Sequence, residues 1–206
     1  MGRWFSDEKR FMINGRLNHQ NIRRWAREKP DDFVNQIEAH PISVHACCVL
    51  SSKAIIGPFF FDGNVNQYTY QEMIESKFIP ALQETNLLDG YCYQQDGATP
   101  HCTNNSLELL KKYFGEKIIS RRSEFEWPSH SPDLNPLDFF LWGVLDDKVK
   151  RRNPKTAQEL RKIVCEEVKK IDVNSLPKTI EEFVKRLSLC IRADGENFVQ
   201  LNEENS

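Results

Sequence analysis

The sequence predicts an α/β fold in which helices flank a mixed β-sheet and a helical extension follows at the C-terminal end. The first observation is a change of period, from β-branched and aromatic runs early in the chain to helical spacing later. The second is a short strand pattern that follows a helical one in the middle of the chain. This order of elements is typical of a mixed sheet that is covered by helices.

The N-terminal part is predicted to form strands. Arg3–Asp7 and Arg10–Asn14 are two short runs, and Asn14-Gly15 is a strong turn signal. Ile42–Leu50 and Ala54–Phe61 are rich in apolar residues and predict a hairpin with buried strands. Asp7 is therefore expected at the end of the first strand.

The middle of the chain alternates between the two periods. Apolar residues recur at helical spacing over residues 67–84, which predicts a helix. Tyr91–Gln95 is predicted as a strand, and the helix that follows it is expected to end at Gly115. Ile118-Ile119 is a further short strand, and residues 120–136 form a long loop.

The C-terminal part is predicted to be helical. Asn135 is followed by Pro136, the arrangement of an N-cap and a first helical residue. Thr156 and Glu159 have the spacing of a capping box that opens an amphipathic helix. A last helix is expected to carry Ile180, Phe183, Val184, Leu187 and Ile191 and to be closed by Gly195. We predict a catalytic domain over residues 1–150 and a helical extension of the same domain over residues 151–206.

Composition excludes several classes of protein. The chain has 206 residues, of which 39% are hydrophobic, enough for a core and too many for a largely disordered chain. No apolar run approaches the roughly 20 residues of a membrane span. The first residues lack a signal peptide, so we expect an intracellular protein with six free cysteines.

Basic residues concentrate in two stretches. Residues 1–30 hold eight basic residues against three acidic ones, and residues 148–192 hold thirteen against six, although the formal net charge is −2. A solvated helix surface explains such runs, and so does contact with a DNA backbone. The basic candidates for DNA contact are Arg121, Arg122, Lys148, Lys150, Arg151 and Arg152.

Three acids are candidates for chemistry. Asp7 and Asp96 each follow a strand pattern, and Asp138 lies in the first turn of a helix. Each has an ordinary structural explanation: a solvated strand end, an Asp-Gly turn, and a favourable contact with the helix dipole. Together, carboxylates at strand ends and a helix start can converge on one edge of a sheet. Three converging carboxylates repel one another, and a divalent cation would relieve that repulsion.

Two sequence blocks carry a family resemblance. Gln94–His101 (QQDGATPH) and Trp127–Gly143 (WPSHSPDLNPLDFFLWG) closely resemble the catalytic domain of the mariner superfamily of transposases. Phe5–Glu8 (FSDE) is similar to the block around that family's first catalytic acid. Phe59–Asn66 (FFFDGNVN) resembles the segment before its first long helix. The resemblance covers about residues 3–200.

The resemblance implies a ribonuclease-H-like fold with two divalent cations, Mg²⁺ or Mn²⁺, held by Asp7, Asp96 and Asp138. His101 would support this site by orienting a water, a phosphate or Asp96, although capping a helix start explains it equally well. Asp133 would shape the turn into the helix. Trp127 would either fill the loop core or stack on a base.

The expected partners are double-stranded DNA, both transposon ends and target, and a second copy of the chain in a homodimer. No membrane partner is expected, and the expected location is the nucleus. Only six residues precede Asp7, so we expect the family's N-terminal helix-turn-helix region to be absent from this chain.

These inferences favour one function and leave two alternatives. The favoured function is the catalytic core of a cut-and-paste DNA transposase, which cleaves and joins DNA strands with three Asp carboxylates. The first alternative is an inactive or domesticated relic that only binds DNA. The second is a different nuclease on the same fold, which would act on RNA–DNA hybrids.

Overall fold

The computed structural model describes residues 2–13, 42–88, 90–128 and 131–195. Five strands form one mixed sheet in the order β3-β2-β1-β4-β5. They are β1 (Gly2–Met12), β2 (Ser43–Leu50), β3 (Ile55–Phe61), β4 (Tyr91–Gln94) and β5 (Ile118–Ile119). The β1–β2 and β2–β3 pairs are antiparallel, whereas β1–β4 and β4–β5 are parallel, so the predicted mixed sheet is confirmed. The predicted turn at Asn14-Gly15 lies outside the described residues.

β1 is one continuous strand of 11 residues, so the prediction of two short strands with Asp7 at the end of the first is wrong. Its antiparallel pairing with β2 continues to Met12, opposite Ser43, and this satisfies the backbone of the polar stretch in its middle. On the other side the parallel partner β4 extends only as far as Phe5, which pairs with Gln94. The polar side chains of Asp7–Arg10 are tolerated because none of them is fully buried.

The predicted helix over residues 67–84 is confirmed and contains one wide turn. It comprises α1 (Gln67–Met73), a π-helical turn (Ile74–Phe78) and α2 (Ile79–Glu84). The Asn66 side chain caps its start by accepting hydrogen bonds from two backbone N–H groups at 2.9 and 3.1 Å. α3 (Asn104–Phe114) is capped by Thr103 and ends at Gly115, whose φ of 60° suits a residue without a Cβ.

The C-terminal part is helical, as predicted. It comprises a 3₁₀ turn (Pro132–Leu134), a π-helical turn (Leu137–Leu141), α4 (Trp142–Arg152), α5 (Ala157–Lys169), a second 3₁₀ turn (Val173–Ser175) and α6 (Leu176–Arg192). Asn135 opens the π-helical turn, because its side-chain Oδ1 accepts the N–H of Leu137 at 3.2 Å. Thr156 caps α5 as expected, but the Glu159 carboxylate accepts from the N–H of Lys155 at 2.8 Å and not from that of Thr156.

The sheet has a hydrophobic core on each face because adjacent residues of a strand point to opposite sides. Trp4, Cys47 and Val49 belong to the core that contains buried residues of α1, α2 and α3. Phe5 and Cys48 belong to the other core, with buried residues of α4, α5 and α6. Helices therefore flank the sheet on both faces.

The predicted last helix is confirmed as α6, and its apolar residues are buried unequally. Phe183 is buried, whereas Val184, Leu187 and Ile191 are 53%, 36% and 71% exposed. The face that contains Phe183 is buried because its ring meets Phe5, with centroids 4.9 Å apart.

All six cysteines are described and free, as expected, and four of them are buried. Burial raises the pKa of the Cys47 and Cys48 thiols, so both behave as small apolar core residues. Among the helices of the described residues, none is both long enough and apolar enough to cross a membrane.

Candidate active site

A cleft of about 370 Å³ contains all three predicted acids. Asp7 comes from β1, Asp96 from the loop after β4, and Asp138 from the π-helical turn before α4. The other described residues that line it are Gly97, Ala98, Arg121, Trp127, Pro128, Ser131, Pro132 and Asn135. The structure thus brings together acids that lie far apart in the sequence.

The register of the parallel strands explains why Asp7 and Asp96 meet. Phe5 of β1 is opposite Gln94 of β4, and this is the last pair between the two strands. Asp7 and Asp96 each lie two residues beyond that pair. Side chains two residues apart point to the same face, and adjacent strands lie about 4.8 Å apart, so the two carboxylates become neighbours where the pairing ends.

Asp7 is held by one strong donor and is surrounded by negative charge. Its Oδ2 accepts a hydrogen bond of 2.6 Å from the indole Nε1 of Trp142. Burial, and then the charges of Asp138 and Glu8, raise the pKa of the Asp7 carboxyl well above its usual range, despite the opposing effect of the Trp142 hydrogen bond. The protein surroundings of Asp7 therefore disfavour its ionised form.

Asp96 is held on one oxygen by two donors. Its Oδ1 accepts the backbone N–H of Ala98 at 3.0 Å and lies 2.6 Å from Nδ1 of His101. Burial opposes ionisation, but the hydrogen bond and charge of His101 and the Ala98 N–H outweigh it and lower the pKa of Asp96. Asp96 is therefore the most readily ionised of the three acids.

Asp138 is fixed from within its own turn. Its Oδ2 accepts a hydrogen bond of 3.1 Å from the Nδ2 of Asn135, the residue that also caps the turn. Burial raises the pKa of the Asp138 carboxyl, and the negative charge of Asp96 adds to this, whereas Asn135 and the Lys9 ammonium act in the opposite direction.

The three carboxylates share one arrangement. One oxygen of each is held by a side-chain donor from Trp142, His101 or Asn135. These three donors leave the second oxygen of each carboxylate unengaged. Such donors orient a carboxylate while leaving an oxygen lone pair for a metal ion. The groups that hydrogen-bond to metal ligands play this part in metal sites.

Hard carboxylate oxygens suit Mg²⁺ or Mn²⁺, and mutual repulsion of the acids would be relieved by a cation. Within the described residues, no group of three or more His, Cys, Asp or Glu side chains is placed so that it could hold an ion. Mg²⁺ is commonly held by only one or two carboxylates and keeps several waters, so pairs of these acids are sufficient. The oxygen donors present thus suit a hard divalent cation.

His101 is 2% exposed and reaches two acids. Besides Asp96, it meets Glu8, whose Oε2 lies 3.1 Å from Nε2 of the ring. Burial lowers the pKa of His101, but the charge of Glu8 and the bonds to both acids outweigh it, so the pKa is raised well above its usual range. The contacts of the His101 ring with Asp96 and Glu8 favour the interpretation that His101 orients Asp96. They do not favour the alternative, in which His101 caps the start of a helix.

Sequence reasoning missed the residues that hold the acids. Trp142 donates to an acid 135 positions away, and Asn135, which is predicted as a cap, also donates to Asp138. Glu8 lies in the block with Asp7, and no sequence pattern predicts its contact with His101. The one available signal was that all three lie inside the blocks that carry the family resemblance.

The basic candidates are placed unequally. Arg121 lines the cleft beside Gly97, where a Cβ would lie 3.2 Å from the Arg121 Cδ. Four other basic candidates are exposed and are not among the described residues that line the cleft: Arg122, Lys148, Lys150 and Arg151. Arg152 differs from them, because its guanidinium contacts Glu166 at 2.6 Å and Glu167 at 3.1 Å.

The fold and the cleft together define a ribonuclease-H-like domain with a carboxylate cleft. No protein-family model matches the chain. The Tc3 transposase of Caenorhabditis elegans is 29% identical over 194 residues, which cover 93% of this chain and 56% of that protein. The Tc1 transposase of the same organism is 25% identical over 195 residues, which cover 93% of this chain and 67% of that protein.

Solved structures agree with the predicted fold. The Mos1 transposase catalytic domain, solved with raltegravir and Mn, has a TM-score of 0.72 at 16% identity and covers 95% of this chain and 84% of that chain. The Mos1 paired-end complex with the left transposon end has a TM-score of 0.72 at 17% identity. The match covers 95% of this chain and 56% of the Mos1 chain. The relatives and the fold confirm the resemblance of this chain to mariner-type transposase catalytic domains. The chain spans about half the length of the Tc3 transposase.

Proposed function

We propose that this chain is the catalytic core of a cut-and-paste DNA transposase, with Asp7, Asp96 and Asp138 as its catalytic acids. The observation that carries the proposal is that these acids, from three separate parts of the chain, line one cleft with one oxygen of each available. The reaction would hydrolyse a phosphodiester at a transposon end. The freed 3′-hydroxyl would then attack a phosphodiester of target DNA and displace its 3′-oxygen.

The three acids would hold two Mg²⁺ or Mn²⁺ ions, which lower the pKa of a bound water and neutralise charge on the phosphate. Asp7 lines the same cleft as the other two acids and would hold the metal together with them. His101, Trp142 and Asn135 would keep the carboxylates in place. Two Mos1 catalytic-domain structures, solved with Mn and with Mg, support the choice of ion.

Arg121 and Trp127 would receive the DNA at the cleft. Both line it, and the Arg121 stem lies against Gly97, next to Asp96. A guanidinium can bind a phosphate with two parallel hydrogen bonds, and an indole ring can stack on a base. We assign the phosphate contact to Arg121 and the stacking contact to Trp127.

Calorimetric titration of the chain with Mn²⁺ tests the proposal. We expect saturable binding by the wild type, and for Asp96→Asn a loss of affinity of about 100-fold or more, because even groups behind a metal ligand contribute about 10–100-fold. Asp147→Asn is the matched control, since it removes an exposed carboxylate on α4 outside the described lining of the cleft. A folded wild type that binds no Mn²⁺ would overturn the proposal and favour a relic that only binds DNA.

We propose that duplex DNA is the partner of this chain. Outside the cleft, we propose that it contacts the exposed C-terminal end of α4. Lys148, Lys150 and Arg151 make no ion pair within the described residues, whereas Arg152 is engaged by Glu166 and Glu167. Each phosphate contact that is lost should reduce the salt dependence of binding by about 0.9 in the slope of log K against log salt. Arg151→Ala should show this change.

The matched control for DNA binding is Arg152→Ala, which removes the same charge from an ion-paired side chain. Fluorescence anisotropy with a labelled duplex at several salt concentrations measures both slopes. Equal changes in the two variants would show that net charge, and not a phosphate contact of Arg151, governs binding.

One of the solved Mos1 structures is a paired-end complex with the left transposon end. By analogy, we propose that two copies of this chain act together. Sedimentation of the chain with and without DNA ends tests the homodimer. We propose the nucleus as the location of this protein, because the nucleus contains the chromosomal DNA.

A further inference from the structure

We infer that Glu8 is a positioning residue, which acts through His101 to hold Asp96 in its working orientation. This inference rests on the proposed function, in which Asp96 is a metal ligand. Its basis is a chain of side chains in which Glu8 Oε2 lies 3.1 Å from Nε2 of His101 and Asp96 Oδ1 lies 2.6 Å from Nδ1 of the same ring. Glu8 is not among the described residues that line the cleft, and it contacts Asp96 only through the ring, although its charge also acts on the adjacent Asp7.

The two nitrogens of the His101 ring contact different acids. Nε2 faces Glu8 and Nδ1 faces Asp96, so the ring is held between the two carboxylates. The contact with Glu8 limits the rotation of the ring, and this rotation decides whether Nδ1 points at Asp96. Without Glu8, the ring loses the contact at Nε2 that keeps Nδ1 directed at Asp96.

The other contacts of His101 hold one face of its ring and its backbone. Tyr70 packs against the ring with centroids 4.5 Å apart. The His101 carbonyl accepts the Nε2 of Gln95 at 3.1 Å, and Gln95 is itself bonded to Tyr70 and Ser120. The contacts at the two ring nitrogens, with Glu8 and with Asp96, then fix the direction in which the ring points.

β1 places Glu8 for this role. Alternation along the strand puts Glu8 on the face opposite that of Asp7, with Ser6 and Trp4. Two adjacent residues of one strand thus serve two different acids: Asp7 is itself an acid of the cleft, and Glu8 supports Asp96 from behind.

Mn²⁺ titration of Glu8→Gln and Glu8→Ala tests the inference, with the exposed Glu84→Gln as the matched control. Glutamine keeps the length and an acceptor oxygen but loses the charge. We expect both variants to bind Mn²⁺ about 10-fold more weakly, near the lower limit for groups behind a ligand. Unchanged affinity in the folded Glu8→Ala variant would overturn the inference.

A double-mutant cycle separates positioning from a general effect on the fold. If Glu8 acts through His101, then Glu8→Ala should cause no further loss of Mn²⁺ affinity in a His101→Gln background. Fully additive losses would overturn the inference, because they would mean that Glu8 acts by another route.

NMR of the His101 ring and of the Asp96 carboxyl group gives a readout that needs no metal. The ring protons bound to carbon are assigned by their absence in His101→Gln. Glu8→Ala should shift both these protons and the carboxyl carbon of Asp96, whereas an unshifted Asp96 carboxyl carbon would overturn the inference. If the resonances behave as expected but the wild type binds no Mn²⁺, the proposed function fails and the link from Glu8 to Asp96 stands.

Discussion

Replacing Asp138 by Asn is expected to reduce Mn²⁺-dependent DNA cleavage by this chain by more than about 100-fold, beyond the loss that outer groups of a metal site cause. An amide can still accept the hydrogen bond that Asn135 donates to Asp138 at 3.1 Å, so the turn should keep its shape. The amide lacks the charge that a divalent cation needs from its ligand. The measurement is the conversion of supercoiled plasmid to nicked circles, with and without Mn²⁺.

Asp133 offers a control within the same sequence block. It lies five residues before Asp138, and its side chain does not line the described cleft. Its backbone carbonyl, and not its carboxylate, accepts the Arg186 guanidinium at 3.4 Å. We therefore expect Asp133→Asn to cleave at about the wild-type rate. Equal losses in both variants would show that the block supports the fold and would remove Asp138 from the proposed catalytic acids.

The fold was predictable where the hydrophobic period was unambiguous. The hairpin of β2 and β3 and the helix over residues 67–84 follow from local patterns that the structure retains. β1 was not predictable as one strand, because Asp7–Arg10 is a polar run that resembles a loop. Its extended conformation depends on backbone pairing with β2, a contact that no local pattern shows.

The site was predictable only in part, for a similar reason. The three acids stand out because each lies in a recognisable sequence block. The donors that orient them do not, because their partners are fixed by tertiary structure: Trp142 is paired with Asp7 across 135 positions. The role of Glu8 depends on which face of β1 it occupies, and that requires the strand to be known.

Replacing Phe183 by Ala is expected to lower the free energy of unfolding by about 3–5 kcal/mol, as for other buried Phe side chains. Phe183 is 5% exposed, and its ring packs edge-on against Phe5 of β1. The Arg3 guanidinium also lies 5.2 Å from the ring centroid. The substitution thus removes contacts that join α6 to the central strand of the sheet. Urea unfolding followed by tryptophan fluorescence and by circular dichroism measures the loss.

Val184, the next residue of the same helix, is the matched control. It is 53% exposed, so Val184→Ala should change stability by no more than about 0.5 kcal/mol. If residues 151–206 extend the same domain, Phe183→Ala should shift a single transition seen equally by both probes. A separate early loss of helix, with the fluorescence transition unchanged, would show that α6 unfolds by itself. Because Phe5 lies two residues before Asp7 on β1, a shared transition would also mean that α6 stabilises the strand that carries the first acid.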